Sequence, residues 1–485
     1  MRITNGNRVT RKNCTGKALA ALLATVVLAG CMVGPNHQTP GMPLPARWSN
    51  TGDRKMRQPA PRLAHWWKRL NDPLLTALVE RAVQGNLNVA LAKARILEAR
   101  ATLRQETGAL FPLANGTSSV NRTRSPGIAA NDGAHAVSTQ HQAGFDARWE
   151  LDLFGGKQRA AEAARYGLDA SEEDLRNTLL VLVGDVVLNY TQVRAQQALL
   201  GLARRTAQSQ RQTASLIRAK YDAGSAANAD MARAEAVAAT TQADGATFEI
   251  DHSLAVHRLG ILLGLAPAAL TGELSKRAPI PRPRFPLPLG VPADIFSNRP
   301  DLRMAERQLA QATARIGVAE AARYPSISLT GNITTQAMGI SDLAQKSTIG
   351  WAIGPSLTLP LLRGGQLQAA VDGANARRDQ ALLTYQSAVL TAMGEVENAI
   401  ISLTRQQDRH TKLAAAVRAY RKAANAARIQ YASGASEYLN LLDSQRALYG
   451  SETALINSQL AITAAYIALN KALGGGWSGT ADAAP

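Results

Sequence analysis

The sequence has little cysteine and few aromatic side chains: two Cys, with Phe, Trp and Tyr together at 5% of 485 residues. Cys14 and Cys31 both lie near the start, so no disulfide framework is available and packed secondary structure must hold the body together. Histidine is sparse too. His252 and His257 stand five apart rather than four, and no HExxH, CxxC, GxSxG or phosphate-loop pattern occurs. Nothing therefore supports a catalytic site, a metal site or a bound cofactor, and an enzyme stays the unsupported competing class. The apolar run at residues 18–28 is shorter than the ~20 residues of a membrane-spanning helix. Lys and Arg outnumber Asp and Glu by 54 to 36, a net charge of +18. That excess points to anionic surfaces or solutes, yet the cations are mixed with acids and no basic block is interleaved with aromatics, which argues against a nucleic-acid partner. Proline, finally, is missing from residues 127–266 and 361–484.

What is present begins with Arg2, Arg8, Arg11, Lys12 and Lys17 ahead of the apolar run, which ends Leu28-Ala29-Gly30-Cys31. Residues 1–30 read as a secretory signal peptide. The small residues before Cys31 resemble a bacterial lipobox, which implies that Cys31 is acylated and becomes the first mature residue; the alternative is a signal with an incidental Cys. Met32 rather than Asp in the next position implies export onward to the outer membrane. Losing five cations and no acid lowers the net charge from +18 to +13. Residues 32–61 hold six prolines and exclude a helix or a central strand, so residues 31–64 are expected to form an extended, lipid-anchored tether.

The body is a duplication. Tyr431-Ala-Ser-Gly434-Ala-Ser-Glu-Tyr-Leu-Asn440-Leu-Leu-Asp443 matches Tyr221-Asp-Ala-Gly224-Ser-Ala-Ala-Asn-Ala-Asp230-Met-Ala-Arg233, 210 positions earlier. Val183-Gly184-Asp185-Val186 falls on Met393-Gly394-Glu395-Val396 at the same offset, and Leu259 and Gly264 fall on Leu469 and Gly474. Two copies of this length are half-domains rather than solenoid units, each tip being the turn of a helical hairpin. The helices preceding the tips run over sixty residues, about 100 Å at 1.5 Å per residue. Leu441, Leu448, Leu455, Ile462 and Leu469 keep a seven-residue spacing that calls for coiled-coil packing. Their counterparts Met231, Ala238, Gly245, His252 and Leu259 keep bulk only at the ends, so the two hairpins cannot pack identically. Asp72-Pro73 reads as the N-cap and first position of a helix running to about Leu110.

Beyond Pro112 the period changes to two. Phe145, Ala147, Trp149 and Leu151 point one way and Asp146, Arg148, Glu150 and Asp152 the other. Ile327, Leu329 and Ile333, then Ile349, Trp351, Ile353 and Leu357, repeat the alternation in the second copy, Thr358 falling on the polar side. With a less regular strand at about 113–123 there are four strands, two per copy, each with an oily and a wet face. A soluble sandwich would also alternate, but no second strand-rich region exists to supply its other sheet. Four strands cannot close a barrel, and an open edge is not tolerated in lipid, so chains must share: two copies give eight strands and a filled lumen, three give twelve and a passage. The fold class is thus an α+β membrane protein with an internal two-fold repeat: residues 65–266, a Pro-rich linker at 267–297, residues 298–474, and a tail at 475–485 expected to be disordered.

Val33-Gly-Pro-Asn, Trp66-Trp67 to Asp72-Pro73-Leu74, Leu287-Pro to Arg299-Pro300-Asp301, and Gly434 to Asp443 together resemble the TolC superfamily of outer-membrane efflux proteins, in its OprM/NodT-like lipoprotein branch. The resemblance covers the whole mature chain. It implies a homotrimer whose twelve strands close one barrel in outer-membrane lipid, with the helices forming a periplasmic tunnel. It also implies a three-part pump with a periplasmic adaptor (membrane fusion) protein and an inner-membrane, proton-driven transporter, serving drug efflux. Phe145, Trp149, Trp351 and Ile353 would face lipid. In the family, acidic side chains just past the tip glycine narrow the periplasmic entrance. Asp443 falls on one such position and Asn440 on the other, a departure that removes one carboxylate per chain; Asp230 matches in the first copy, where Arg233 stands in place of Asp443. Gly224 and Gly434 would supply the turns, and Tyr221 and Tyr431 are candidates for hydrogen bonds that hold the entrance shut. The alternatives are solvated helix residues at those positions, a duct for protein secretion, or a lipid-tethered coiled-coil scaffold without a pore.

Overall fold

The computed structural model describes residues 32–43, 45, 48–49, 63–125, 136–283 and 298–477. The expected signal peptide, Cys31, linker residues 284–297 and tail residues 478–485 lie outside the described residues. In chain order the elements are α1 (Pro73–Gly85), α2 (Leu87–Gly108), β1 (Leu113–Ser125), β2 (Ala136–Leu151), α3 (Gly156–Asp222), α4 (Asn228–Leu262), α5 (Pro300–Ala321), β3 (Ser326–Ala337), β4 (Ile349–Thr358), α6 (Gln366–Ala432) and α7 (Tyr438–Ala472). The long helices α3 and α6 both have 67 residues, and α4 and α7 both have 35. Each pair starts 210 residues apart, whereas α2 and α5, and β1 and β3, start 213 apart. The second copy is therefore three residues shorter, and the whole difference falls between its first strand and its long helix.

The chain divides into two compact units. One comprises Met1–Pro40, Leu97–Ala170 and Ala305–Thr384; the other comprises Gly41–Ile96, Ser171–Met304 and Tyr385–Pro485. The first contains an antiparallel sheet in the order β1-β2-β3-β4, leaving β1 and β4 as open edges. All four helical connections leave one end of this sheet, and the β1–β2 and β3–β4 loops lie at the other. The strand at Leu113–Ser125, least regular in sequence, pairs along its full length with β2. The residues just after the expected lipidation site are extended, as proline requires, but not loose. Arg159, 1% exposed, donates to Val33 O at 3.1 Å, Gly34 O at 3.1 Å and Asn36 Oδ1 at 2.8 Å. Gly34, at φ +88°, packs its backbone on Gly317, where a Cβ would lie 2.5 Å from the partner Cα.

In the second unit the expected single helix from Pro73 to about Leu110 is broken at Asn86, a correction with a local cause. Asn86 is extended. Its Oδ1 accepts from Asn88 N at 2.8 Å and Val89 N at 3.2 Å, capping α2, while its Nδ2 donates to Leu262 O at 2.8 Å. One amide thus satisfies the orphan groups of two helix ends. Asp72 caps α1 by accepting from Leu75 N at 3.1 Å and takes the Tyr190 hydroxyl at 2.6 Å on its other oxygen. Arg299, also buried, donates to Asp301, to Glu395 at 2.7 Å and to Ala472 O at 3.0 Å, tying the start of α5 to α6 and α7. The tail begins later than expected: Trp477 donates to Asn298 O at 2.9 Å and its ring lies 5.4 and 5.6 Å from the Arg176 and Arg303 guanidinium carbons.

Four helices end alike, with glycine in the left-handed region and paired 5→2 and 6→1 hydrogen bonds, at Gly224, Gly264, Gly434 and Gly474. Their surroundings differ. A Cβ at Gly434 would meet nothing within 4 Å, but one at Gly474 would lie 2.3 Å from Asn298 O. Gly434→Ala is expected to cost backbone strain alone, about 1 to 2 kcal/mol. Gly474→Ala adds a clash with backbone, and its loss should exceed the other by about 2 kcal/mol. Thermal melts followed by helical circular dichroism check this; equal midpoints would refute the packing described for Gly474.

Candidate functional site

Both hairpin tips lie in the second unit, and they are built on one pattern. At the first, Gly224 N donates to Tyr221 O at 2.8 Å and Ser225 N to Lys220 O at 2.8 Å; at the second, Gly434 N donates to Tyr431 O at 3.2 Å and Ala435 N to Gln430 O at 2.8 Å. Positive φ values of 75° and 78° make glycine the residue that turns the chain without steric cost. The side chains around this common backbone have diverged. Tyr431 and Tyr438 are buried with Leu441 and Leu442 of the second tip against Ile217 and Ala234 of the first. Lys220 caps that cluster: its Nζ donates to Tyr431 O at 2.9 Å and lies 4.4 Å from the centre of the Tyr431 ring. The counterpart of Lys220 is Gln430, and Tyr221, the counterpart of Tyr431, is 41% exposed.

These placements sort the candidate residues. Tyr431 contributes its ring and carbonyl to packing within the chain; its hydroxyl has no hydrogen-bond partner among the described residues. Burial, followed by the Asp230 carboxylate, pushes its phenol upward, so it stays protonated at neutral pH. Asp230 is paired with Arg233 at 3.5 Å on the same helix, one turn apart. Asn440 donates to Ser436 Oγ at 3.1 Å. Asp443 is exposed and has no ion pair among the described residues, so of the candidate acids it keeps the full field of its charge. Lys220, Ile217 and Tyr438 were not singled out in the sequence. A cation next to the tip tyrosine in one copy and an amide in the other was the available signal, but the pairing joins residues 211 apart.

The second candidate surface is the sheet. Phe145, Trp149, Trp351 and Ile353 occupy one face: Phe145 pairs with Ile333, which pairs with Trp351, while Ile353 pairs with Gly331 opposite Ala147. Phe145 is 68% and Trp351 75% exposed, although both are large apolar side chains. Trp149 turns its Nε1–H to Leu110 O at 3.0 Å. The other face is mainly polar, with Leu113 beside Arg148 at the helical end. Asp146 lies between Asn115 and Asn332, Arg148 pairs with Thr330, Glu150 with Ser328, and Thr358 with Ser326. A continuous apolar face this large does not belong in water. Among the described residues no cluster of His, Cys, Asp or Glu suits a metal ion, and no helix is long and apolar enough to cross a membrane.

An amphipathic sheet with both edges open, joined to paired helical hairpins, defines a class. The family of outer membrane efflux proteins matches residues 78–265 and 291–475, one stretch per structural repeat, and the chain belongs to it. It is 34% identical to nodulation protein T of Rhizobium leguminosarum bv. trifolii over 466 residues, 95% of this chain and 97% of that protein. It is 31% identical to the solvent efflux pump outer membrane protein SrpC of Pseudomonas putida over 465 residues, 94% of this chain and 98% of that one. Among solved structures, the outer-membrane channel OprN superposes with a TM-score of 0.86 at 32% identity, covering 92% of this chain and 100% of OprN. The open state of the MtrE outer membrane channel of Neisseria gonorrhoeae superposes with 0.80 at 29%, covering 92% and 99%. The protein is an outer-membrane efflux channel of the TolC type.

Trp351→Arg puts a cation on the apolar face and Thr358→Arg puts one on the polar face of the same strand. In the outer membrane the first is expected to cost about 2 to 4 kcal/mol if it lies near the bilayer midplane. The amount of folded protein recovered from extracted outer membranes should fall for Trp351→Arg and persist for Thr358→Arg. Equal tolerance of the two would count against this register.

Proposed function

We propose that the chain is the passive exit duct of a tripartite efflux pump, assembled as a homotrimer with its apolar sheet face in lipid. The observation that carries this reading is the pair of open edges at β1 and β4 on a sheet with one oily face. Unpaired edge N–H and C=O groups are intolerable in lipid, and edge-to-edge joining of copies satisfies them. An even number of antiparallel strands per chain lets β4 of one copy run antiparallel to β1 of the next. Exposed apolar residues on the helices, Ile250, Leu254 and Ile261 on α4 and Leu390 on α6, fit helix-to-helix contacts between copies in a ring. Three copies, rather than two, leave room for solute.

No chemistry is assigned to the duct. Solute would be driven by an inner-membrane, proton-coupled transporter, reached through a periplasmic adaptor. The naming of the relative SrpC as the outer membrane protein of a solvent efflux pump favours small organic molecules over protein as cargo. Cys31 would carry the acyl anchor. The tips would gate the entrance, with Asp443 of three chains approaching the axis and repelling one another, and the tips of each chain held together by the Lys220–Tyr431 contact.

Three outcomes test the reading. Labelled palmitate should enter the wild-type protein and be absent from Cys31→Ser, which is still expected to form the oligomer; an unlabelled wild type would remove the anchor from the proposal. In planar bilayers Asp443→Ala should weaken block by divalent or trivalent cations roughly tenfold. Tyr431→Phe keeps the buried ring and the carbonyl contact with Lys220 and should leave the resting conductance near that of the wild type; a clear rise would instead assign the hydroxyl to a bond that holds the entrance shut. Unchanged block in Asp443→Ala would place the constriction elsewhere.

A further inference from the structure

The apolar sheet face does not stay apolar along its whole length. From the helical end, β2 presents Leu151, Trp149, Ala147, Phe145 and Ala143 on it, and then His141, Thr139 and Val137. The neighbouring edge strand β1 presents Ala114, Gly116, Ser118 and Val120, and then Arg122 and Arg124. The register makes this placement firm: Gly116 pairs with Phe145, Arg122 with Thr139, and Arg124 with Val137. Both arginines are exposed, and neither has an ion pair or hydrogen bond among the described residues. The β1–β2 ladder continues to Ser125 and Ala136, past the His141–Ala337 pair where the β2–β3 ladder stops.

Two guanidiniums without a partner among the described residues, on a face otherwise made for hydrocarbon, need a reason. Their height supplies it. Trp149, with its indole N–H turned to a carbonyl at the helical end, has the character of an interfacial aromatic. Thr139, level with Arg122, is ten residues further along β2. At about 3.3 Å per residue and a strand tilt of about 40° this is ~25 Å along the bilayer normal, the height of the apolar band of an outer-membrane barrel. Arg122 and Arg124 therefore fall at the level of the headgroups of the opposite, external leaflet. Two residues apart on one face, they stand about 7 Å from each other. Planar forks at that spacing suit bidentate contact with phosphate oxygens, which lysine does not reproduce.

We propose that Arg122 and Arg124 form a binding surface for the phosphate groups of a phosphorylated glycolipid in the outer leaflet. The proposal rests on the reading that the apolar sheet face meets lipid. Lipid bound there would lie against the open edge of β1, at which the next copy joins, and so would stabilise the closed barrel at its seam.

The test uses the full chain, purified as the assembled oligomer in neutral detergent. Its thermal midpoint is followed with added bis-phosphorylated lipid A, the same lipid dephosphorylated, phosphatidylglycerol, or inorganic phosphate. Bis-phosphorylated lipid A should raise the wild-type midpoint and the other three should not. The double variant Arg122→Gln/Arg124→Gln should need at least tenfold more of the lipid, whereas Arg122→Lys/Arg124→Lys should be intermediate. An equal response in wild type and the glutamine variant overturns the proposal. So does an equal response to the dephosphorylated lipid or to phosphatidylglycerol, or loss of the oligomer with lipid retention unchanged, which would assign the arginines to a second copy of the chain. Failure of the lipid-face reading is separately visible, as equal tolerance of arginine at Trp351 and Thr358.

Discussion

An unpaired backbone group in hydrocarbon costs several kcal/mol, and the sheet of this protein carries them along two edges. β1 has 13 residues and β4 has 10, and each is hydrogen-bonded along one side only. A sheet with one oily face and two bare edges is stable neither in water, because of the face, nor in a bilayer, because of the edges. Joining copies edge to edge satisfies the one and leaves the other where lipid can cover it. On the proposed reading, the sheet reaches its stable form only where copies meet in lipid.

The duplication shows what must be symmetric and what need not be. Backbone features are kept: equal helix lengths, four glycine-terminated helices with the same hydrogen-bond pattern, and strands of matching polarity. Side-chain contacts have drifted apart. Lys220 faces Tyr431 while Gln430 and Tyr221 are left without the reciprocal contact, and His252 stands where the second copy has Ile462. In a ring of copies each hairpin has one neighbour from its own chain and one from the next. A contact from the first repeat to the second whose reverse counterpart pairs different residues, Lys220 to Tyr431 against Gln430 and Tyr221, would distinguish those two neighbours chemically.

Much of this was legible in the sequence because it rests on periodicity. The strands, the long helices and the tip glycines are dictated by a spacing of two, a spacing of seven and a 210-residue offset, all local or self-referential signals. The features that escaped were set by contacts between distant residues. The break at Asn86 was hidden because an asparagine after a glycine is weak evidence until Leu262 supplies the second carbonyl. The packing of Trp477 depends on Arg176 and Arg303, about 300 and 170 residues away, and turns an apparently featureless Gly-rich tail into a closing contact. At the tips, the candidate tyrosines looked equivalent by position, and only burial separates them.

The three-residue difference between the copies also bears on how such a chain can change. One residue inserted in an α-helix rotates everything beyond it by about 100°, so a hairpin of packed helices admits insertions only in matched pairs. The two copies agree in length over helices of 67 and 35 residues. Their lengths differ only across the strand segment, where a turn can grow without moving the next helix. The difference in length between the copies is thereby confined to the segment between the start of the first strand and the start of the long helix. The helices thus fix the length of the chain wherever they pack, and the strand segment is the part whose length is free to differ.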